Sequence, residues 1–289
     1  MGDDVNDGGQ EQFRRELMAM VEAMPAFPES VHRIMSMASD MNCSPKDLVS
    51  VIESDPVMTM KILKMVNSAF FSLSRHVASV QHALVYLGLN TIKNLAISIA
   101  TVDALPASSL DALSMRDFLA HSLATASVAQ RLARSQLHLR DGSDHFVGGL
   151  LHDFGKAVFI RFEPTTYAQV LRQARERGVA LSVVEAEHFG VSNSEAGALL
   201  AESWQLPESL VEGIRGYESL HADASDLAVT IAAANHLVKV MAIGDGGNPD
   251  VGTFSPLLAA RLGADAPTLL AGLQDLPDEV AQIQGVVGG

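Results

Sequence analysis

The stretch GGLLHDFGKAVF, residues 148–159, decides how the chain is read. It sets an imidazole, His152, beside a carboxylate, Asp153, in a run that is otherwise apolar apart from Lys156. The surrounding pattern predicts one buried helix from Asp144 to Phe162. Burying both groups is costly unless each finds a partner. A divalent metal is one such partner, because neighbouring helix residues can both reach an ion lying in a groove between helices. Such a site needs further ligands, and His121, on an apolar helix predicted from Ser114 to about Leu137, is the candidate third. Lys156, three residues beyond Asp153, is a competing partner. It would leave the His-His-Asp group hydrogen-bonded and metal-free, and the spacing alone keeps both readings open.

Outward from this stretch, helix follows helix. Gln12 to Met24 and Glu29 to Met41 carry apolar residues at helical spacing on either side of Pro25 and Pro28. Ser44 before Pro45, and Asp55 before Pro56, have the form of helix N-caps followed by a first-turn proline. Gly88 and Gly178 are predicted left-handed helix stops, and Asn90 is predicted to cap the long apolar helix that ends near Ala104. Shorter helices are predicted at 164–177, 182–189, 192–204, 207–217 and 225–243. Aromatic residues make up only 5% of the chain and runs of Val, Ile and Thr are few, which leaves little material for a sheet. The fold class is all-α. Residues 1–11 are expected to be disordered, 12–110 to form an N-terminal helical part and 111–244 a helical bundle. Residues 245–289 are expected to be a linker, beginning DGGNPD, with a C-terminal helical extension.

Composition excludes several classes. The 289 residues are 48% hydrophobic and 19% charged, which is inconsistent with a disordered chain. The formal charge of −14 argues against general nucleic-acid binding. Cys43 is the only cysteine, so neither an intrachain disulfide nor a thiolate zinc site can form. The acidic N-terminus lacks the apolar core of a secretory signal. The longest apolar run, Leu227 to Ile243, is interrupted by Asn235, His236 and Lys239. These features predict a soluble, cytoplasmic protein with no membrane or DNA partner.

The acidic total hides an asymmetry. From Pro56 to Val102 there is no Asp or Glu, while Lys61, Lys64, Arg75 and Lys93 give the segment a charge of +4. One reading is a buried segment with a few solvated lysines. The other is a face on which these four residues meet an anionic partner. The early chain is also rich in methionine, with ten of the twelve before residue 66, and Met35, Met58 and Met65 at core spacing.

Several stretches together resemble the HDOD (HD-related output domain) family. They are MPAFPESVHRIM (24–35), DLVSVIESDPVMTMKILKMVNSAFF (47–71), SVQHALVYLGLNTIKNLAIS (79–98), GGLLHDFGKAVF and EHFGVSNSEAGALLAESWQLPESLVEGI (187–214). The resemblance spans about residues 20–240. It implies an N-terminal helical part packed on a degenerate HD-phosphohydrolase-like bundle, here residues 111–244, and a role in bacterial signal transduction or regulation. Active HD phosphohydrolases hold a metal with a first His, an adjacent His-Asp pair and a distal Asp. His121 matches the first, and His152 with Asp153 match the pair. Asn235 stands where the distal Asp is expected, Asn193 where a His is frequent, and Gly216 and Tyr217 where catalytic relatives have further His ligands.

A hydrolytic metal must activate water and clamp a phosphoryl oxygen, and one carboxylate with two imidazoles is a thin set for both tasks. The sequence therefore predicts a non-catalytic signalling module that binds a protein partner or a small ligand, a nucleotide among the candidates. No cofactor is expected, with a single divalent metal on His121, His152, Asp153 and Asn235 as the open alternative. The competing function is a metal-dependent phosphohydrolase acting on a nucleotide or cyclic dinucleotide.

Overall fold

The computed structural model describes residues 15–26, 29–38, 44–67, 76–104, 113–140, 142–278 and 280. They form an all-helical chain. The N-terminal part comprises α1 (15–22), α2 (Glu29–Ala38), α3 (Pro45–Glu53), α4 (Pro56–Val66), α5 (Val80–Leu87) and α6 (Leu89–Ala104). The bundle follows with α7 (Met115–Ser135), α8 (Ser143–Leu151), α9 (Phe154–Phe162), α10 (Pro164–Arg177), α11 (Leu181–Phe189), α12 (Asn193–Ser203), α13 (Glu208–Gly216) and α14 (Asp226–Val240). Two short helices, α15 (Pro256–Leu262) and α16 (Ala266–Ala271), come last.

Local chemistry sets most of these boundaries. The Ser44 hydroxyl accepts from the Lys46 amide, and the Asp55 carboxylate accepts from the Val57 and Met58 amides, each just ahead of a first-turn proline. Gly178 ends α10 at φ 62°, a left-handed conformation that costs a residue with a Cβ. Asn90 lies inside α6, which starts one residue earlier, so it is not the cap the sequence predicts.

The helix predicted from Asp144 to Phe162 is two helices. The chain turns at His152 and Asp153, between α8 and α9, and the Asp153 carbonyl accepts from the Lys156 amide to restart the coil. Apolar periodicity runs unbroken through the turn, which hides it from the sequence.

One continuous core joins the two parts. Ile34, Ile52, Ile62 and Ile92 from the N-terminal helices pack in the same cluster as Phe118, Phe154, Phe159 and Tyr167 from the bundle. The Trp204 indole, stacked edge-on against Phe154, donates to the Pro25 carbonyl across the junction. A second cluster lies on the outer side of α7 and α14, where Leu258, Leu262, Leu269 and Leu276 cover Val128, Leu132, Val229 and Leu237. The C-terminal helices are thus packed onto the bundle, and Arg131 reinforces the contact with a two-pronged pair to Asp275.

Close helix approach explains the glycines of the motif. A Cβ on Gly149 would stand 2.8 Å from Ala126 Cα on α7, and one on Gly155 would stand 1.9 Å from the Asn193 carbonyl on α12. These contacts bring α7, α8, α9 and α12 close enough for short polar side chains to meet. Among the described residues, no helix is long and apolar enough to cross a membrane.

Candidate metal centre

His121 enters from the middle of α7, His152 from the end of α8, and Asp153 from the turn that follows. All three are buried, at 2%, 0% and 1% exposure. Their ligand atoms lie within 4.8 Å of one another. His121 Nε2 is 3.7 Å from Asp153 Oδ2, and His152 Nε2 is 3.4 Å from the same oxygen.

The two oxygens of Asp153 have different surroundings. Oδ1 takes the Lys156 ammonium at 2.7 Å and the Tyr217 hydroxyl at 3.1 Å. Oδ2 is buried without a hydrogen-bond partner, and so is His152 Nε2. His152 Nδ1 lies 2.7 Å from the Gly149 carbonyl, which can only accept, so Nδ1 carries a proton. In the neutral ring Nε2 is then a lone pair facing Oδ2, with the His121 ring beside it at 5.4 Å between centroids. Burial holds His121 down at about 3, against the pull of Asp153, so it is a neutral imidazole. Burial works to raise Asp153, but His152 and the Lys156 ammonium outweigh it and hold the carboxyl well below its ordinary range.

The unpartnered His152 Nε2, the unpartnered Asp153 Oδ2 and the His121 ring converge here. That arrangement fits a divalent cation, which takes neutral imidazole and carboxylate ligands together. Orphaned buried acceptors elsewhere cost about 1–3 kcal/mol each.

The centre is also closed. The loop after α14 lies over it, and a Cβ on Gly246 would stand 2.8 Å from both Asp153 Oδ2 and His121 Cδ2. Lys156 donates to the Gly246 carbonyl at 2.7 Å, the Asp245 amide donates to the Asp117 carbonyl on α7, and Arg175 pairs with Asp245 at 2.9 Å. The DGGNPD stretch read as a linker therefore runs across the site, docked on three elements. The spacing Gly244, Gly246, Gly247 was the only sequence signal of close backbone approach.

The structure brings together some predicted residues and separates others. Of the two partners expected for Asp153, Lys156 takes Oδ1, while the two histidine nitrogens stand 3.4 Å and 3.7 Å from Oδ2, which has no hydrogen-bond partner. Asn193, buried, sets its side-chain oxygen 3.4 Å from the Tyr217 hydroxyl as the second, longer acceptor for its one proton, and donates to Glu185 through its amide side chain and backbone. Tyr217, where catalytic relatives have a His, holds the same carboxylate by its hydroxyl instead. Gly216 closes α13 just before it. Asn235 lines a neighbouring cavity of about 470 Å³ with Tyr217, Glu218, His236 and Lys239. His188 pairs with Gln173 on α10.

Lys93 does not belong to an exposed basic face. Lys93 is 2% exposed because α6 is packed from both sides, by α2 and α4 and by α8, whereas Lys64 on α4 is exposed and Lys61 half-buried. Arg75 and Cys43 lie outside the described residues, as does the Met35 side chain, while Met58 and Met65 are core residues. The sequence reading missed Glu185, fully buried on α11, and Glu218, since single acidic residues read as surface.

An all-helical bundle holding a His and an adjacent His-Asp pair defines a protein of HD type. More narrowly, the chain belongs to the HDOD domain family, whose model matches residues 24–220. It is 25% identical to an HDOD domain protein of unknown function from Geobacter sulfurreducens, with a TM-score of 0.80 over 96% of this chain and 98% of that one. It is also 25% identical to a provisionally assigned phosphohydrolase from Shewanella amazonensis SB2B, with a TM-score of 0.73 over 94% of this chain and 97% of that one. Among curated proteins it matches an uncharacterized protein of Treponema pallidum at 26% identity over 232 residues, 79% of this chain. The chain spans 44% of the length of that relative.

Proposed function

We propose that the protein is a non-catalytic regulatory module of bacterial signal transduction whose His121, His152 and Asp153 hold one divalent cation in a closed centre. One observation carries this reading: three buried ligand atoms converge, His152 Nε2 and Asp153 Oδ2 among them without a hydrogen-bond partner, beneath a docked loop. Water activation needs an open coordination position, whereas a structural or sensing ion does not. When bound, the ion supplies the positive charge that ties α7 to the turn between α8 and α9. Lys156 holds the remaining carboxylate oxygen and the loop carbonyl, and Tyr217 orients the same oxygen. Output runs through a partner protein or a small ligand, with the cavity beside Asn235 as the place for a nucleotide-sized molecule.

The test is metal analysis on protein purified without chelators, with Asp153→Ala alongside. About one divalent ion per chain, absent from the variant, is the expected result. Metal-free protein that takes up no zinc, nickel or manganese on dialysis would overturn the cation reading. Turnover of a nucleotide or cyclic dinucleotide above the metal-only blank would overturn the non-catalytic one and restore the phosphohydrolase.

A further inference from the structure

The cavity of about 470 Å³ has one ammonium in its wall, that of Lys239 in the last turn of α14. Lys239 is half-buried and donates to the Asp250 carbonyl, and among the described residues no carboxylate pairs with it. An ammonium has three donors, so two are left for the cavity. Asn248 stands on the same wall. Its side-chain oxygen accepts from the Leu181 and Asp250 amides, which leaves its NH2 group as a donor. The other titratable groups of the wall are His236, Glu218 and Tyr217, and burial opposes the charged form of each. Burial lowers Lys239 as well, as it must for an ammonium short of a counter-charge. Leu257 and Leu258 make an apolar side.

We infer that this cavity binds a small organic monoanion, a carboxylate or a phosphodiester, with its charged group on Lys239 and the Asn248 amide and its apolar body on Leu257 and Leu258. The inference rests on the small-ligand part of the proposed function and is independent of the cation. Its volume is that of small-molecule sites, which combine apolar walls with a few placed polar groups. The charge follows from the single ammonium. One negative charge is balanced by Lys239, whereas a phosphomonoester, which carries close to two at neutral pH, would bring a second into the cavity without a partner. The ligand would also touch the loop that roofs the centre. Asn248 and Val251 belong to that loop, which α14 holds through Lys239 on the Asp250 carbonyl and His236 Nδ1 on the Val251 carbonyl. Gly246, two residues before Asn248, is the glycine whose Cβ would stand 2.8 Å from Asp153 Oδ2. An anion seated on Lys239 and Asn248 binds the docked loop and not the lifted one, so its arrival holds the roof down.

Calorimetric titration of the full chain with a charge series on one nucleoside frame tests the assignment. The probes are adenosine (neutral), adenosine 5′-carboxylate and adenosine 3′,5′-cyclic monophosphate (one charge each), and adenosine 5′-monophosphate (close to two). At least one monoanion should bind about 10-fold or more tightly than adenosine and than the monophosphate, the worth of one hydrogen-bonded charge. The tighter of the two monoanions tells a carboxylate site from a phosphodiester site. Lys239→Met should lose that preference and remain folded by circular dichroism, with Lys239→Arg keeping most of it. Hydrogen exchange places the ligand: the Asp245 amide, bonded to the Asp117 carbonyl, should exchange more slowly when the preferred monoanion is bound. Equal affinity for adenosine, unchanged affinity in Lys239→Met, or no slowing at Asp245 would overturn the inference. Tightest binding of the monophosphate would overturn the charge match and leave the cavity as a nucleotide site. No binding of any probe at millimolar concentration would overturn the inference and the cavity reading together, with the cation reading still decided by metal analysis.

Discussion

At the scale of single residues, the centre depends on how the two oxygens of Asp153 are used. Oδ1 is saturated by Lys156 and Tyr217, and Oδ2 is left for whatever the histidines share with it. Removing one member of such a buried pair leaves the other charge without compensation, a loss of about 3–5 kcal/mol. Asp153→Asn should therefore destabilise the metal-free protein by that order in urea unfolding, since Lys156 is only 2% exposed. Lys156→Met made alone should also destabilise, because Asp153 then stays ionised among neutral groups. Made together, the two changes should cost less than the sum of the single changes, with a coupling of about 1–3 kcal/mol. Additive losses would show that the pair is not a unit. The sequence made Lys156 and the metal alternatives. A carboxylate has two oxygens, and Lys156 takes only one of them, so the two readings do not exclude each other.

At the scale of elements, the motif glycines hold helices at contact distance. Gly155 on α9 faces the backbone of α12, and an alanine Cβ there would lie 1.9 Å from the Asn193 carbonyl and 2.6 Å from the Gly197 amide. Backbone cannot rotate away as a side chain does, so Gly155→Ala should cost at least about 3 kcal/mol, the upper end of ordinary overpacking. Gly216 on α13 is the contrast, because a Cβ there would meet only Ala228 Cβ at an ordinary 3.8 Å. Gly216→Ala should stabilise by up to about 1 kcal/mol through the entropy of the unfolded chain. Thermal melts that move in the same direction for both variants would contradict this geometry. Element ends were legible where the signal is local: Ser44 and Asp55 cap as predicted, and Ser114, Ser192 and Ser225, read as first helical residues, are the N-caps, one position ahead of the helix. The turn at His152 was not, because Lys156, Tyr217 and Gly246 stabilise it from elsewhere in the chain. The docking of Gly246 on Lys156 spans 90 residues, and glycine-rich composition marks a turn without saying what it touches. Lys93 was misplaced for the converse reason, since a lysine reads as exposed until the helices packed on both sides of it are known.

At the scale of the whole molecule, buried titratable groups couple stability to pH. Glu185 on α11 is fully buried, accepting from Tyr167 of α10 at 2.7 Å and from the Asn193 amide of α12, with Lys156 of α9 and Glu218 acting on it through space. Burial, resisted by Lys156 and by its hydrogen bonds, raises this carboxyl from 4.5 to about 7. Between those values the native state keeps a proton that the unfolded chain has released. The contribution of Glu185 is thus fully present below pH 4.5 and is lost as pH rises through 7. His121 works in the opposite sense. Held at about 3 against 6.5, it is buried neutral, and its contribution is present above pH 6.5 and lost as pH falls toward 3. The two slopes partly cancel in wild type, so the raw profile is not diagnostic. The difference between wild type and Glu185→Gln isolates the carboxyl, because His121 is common to both. Relative to wild type, the variant should gain stability between pH 4.5 and pH 7.5, by up to about 3 kcal/mol for a shift of this size. Urea denaturation at half-unit pH steps reads that difference directly. Parallel profiles for the two proteins would mean that Glu185 is ionised throughout, held by Tyr167 and Asn193 strongly enough to overcome its burial.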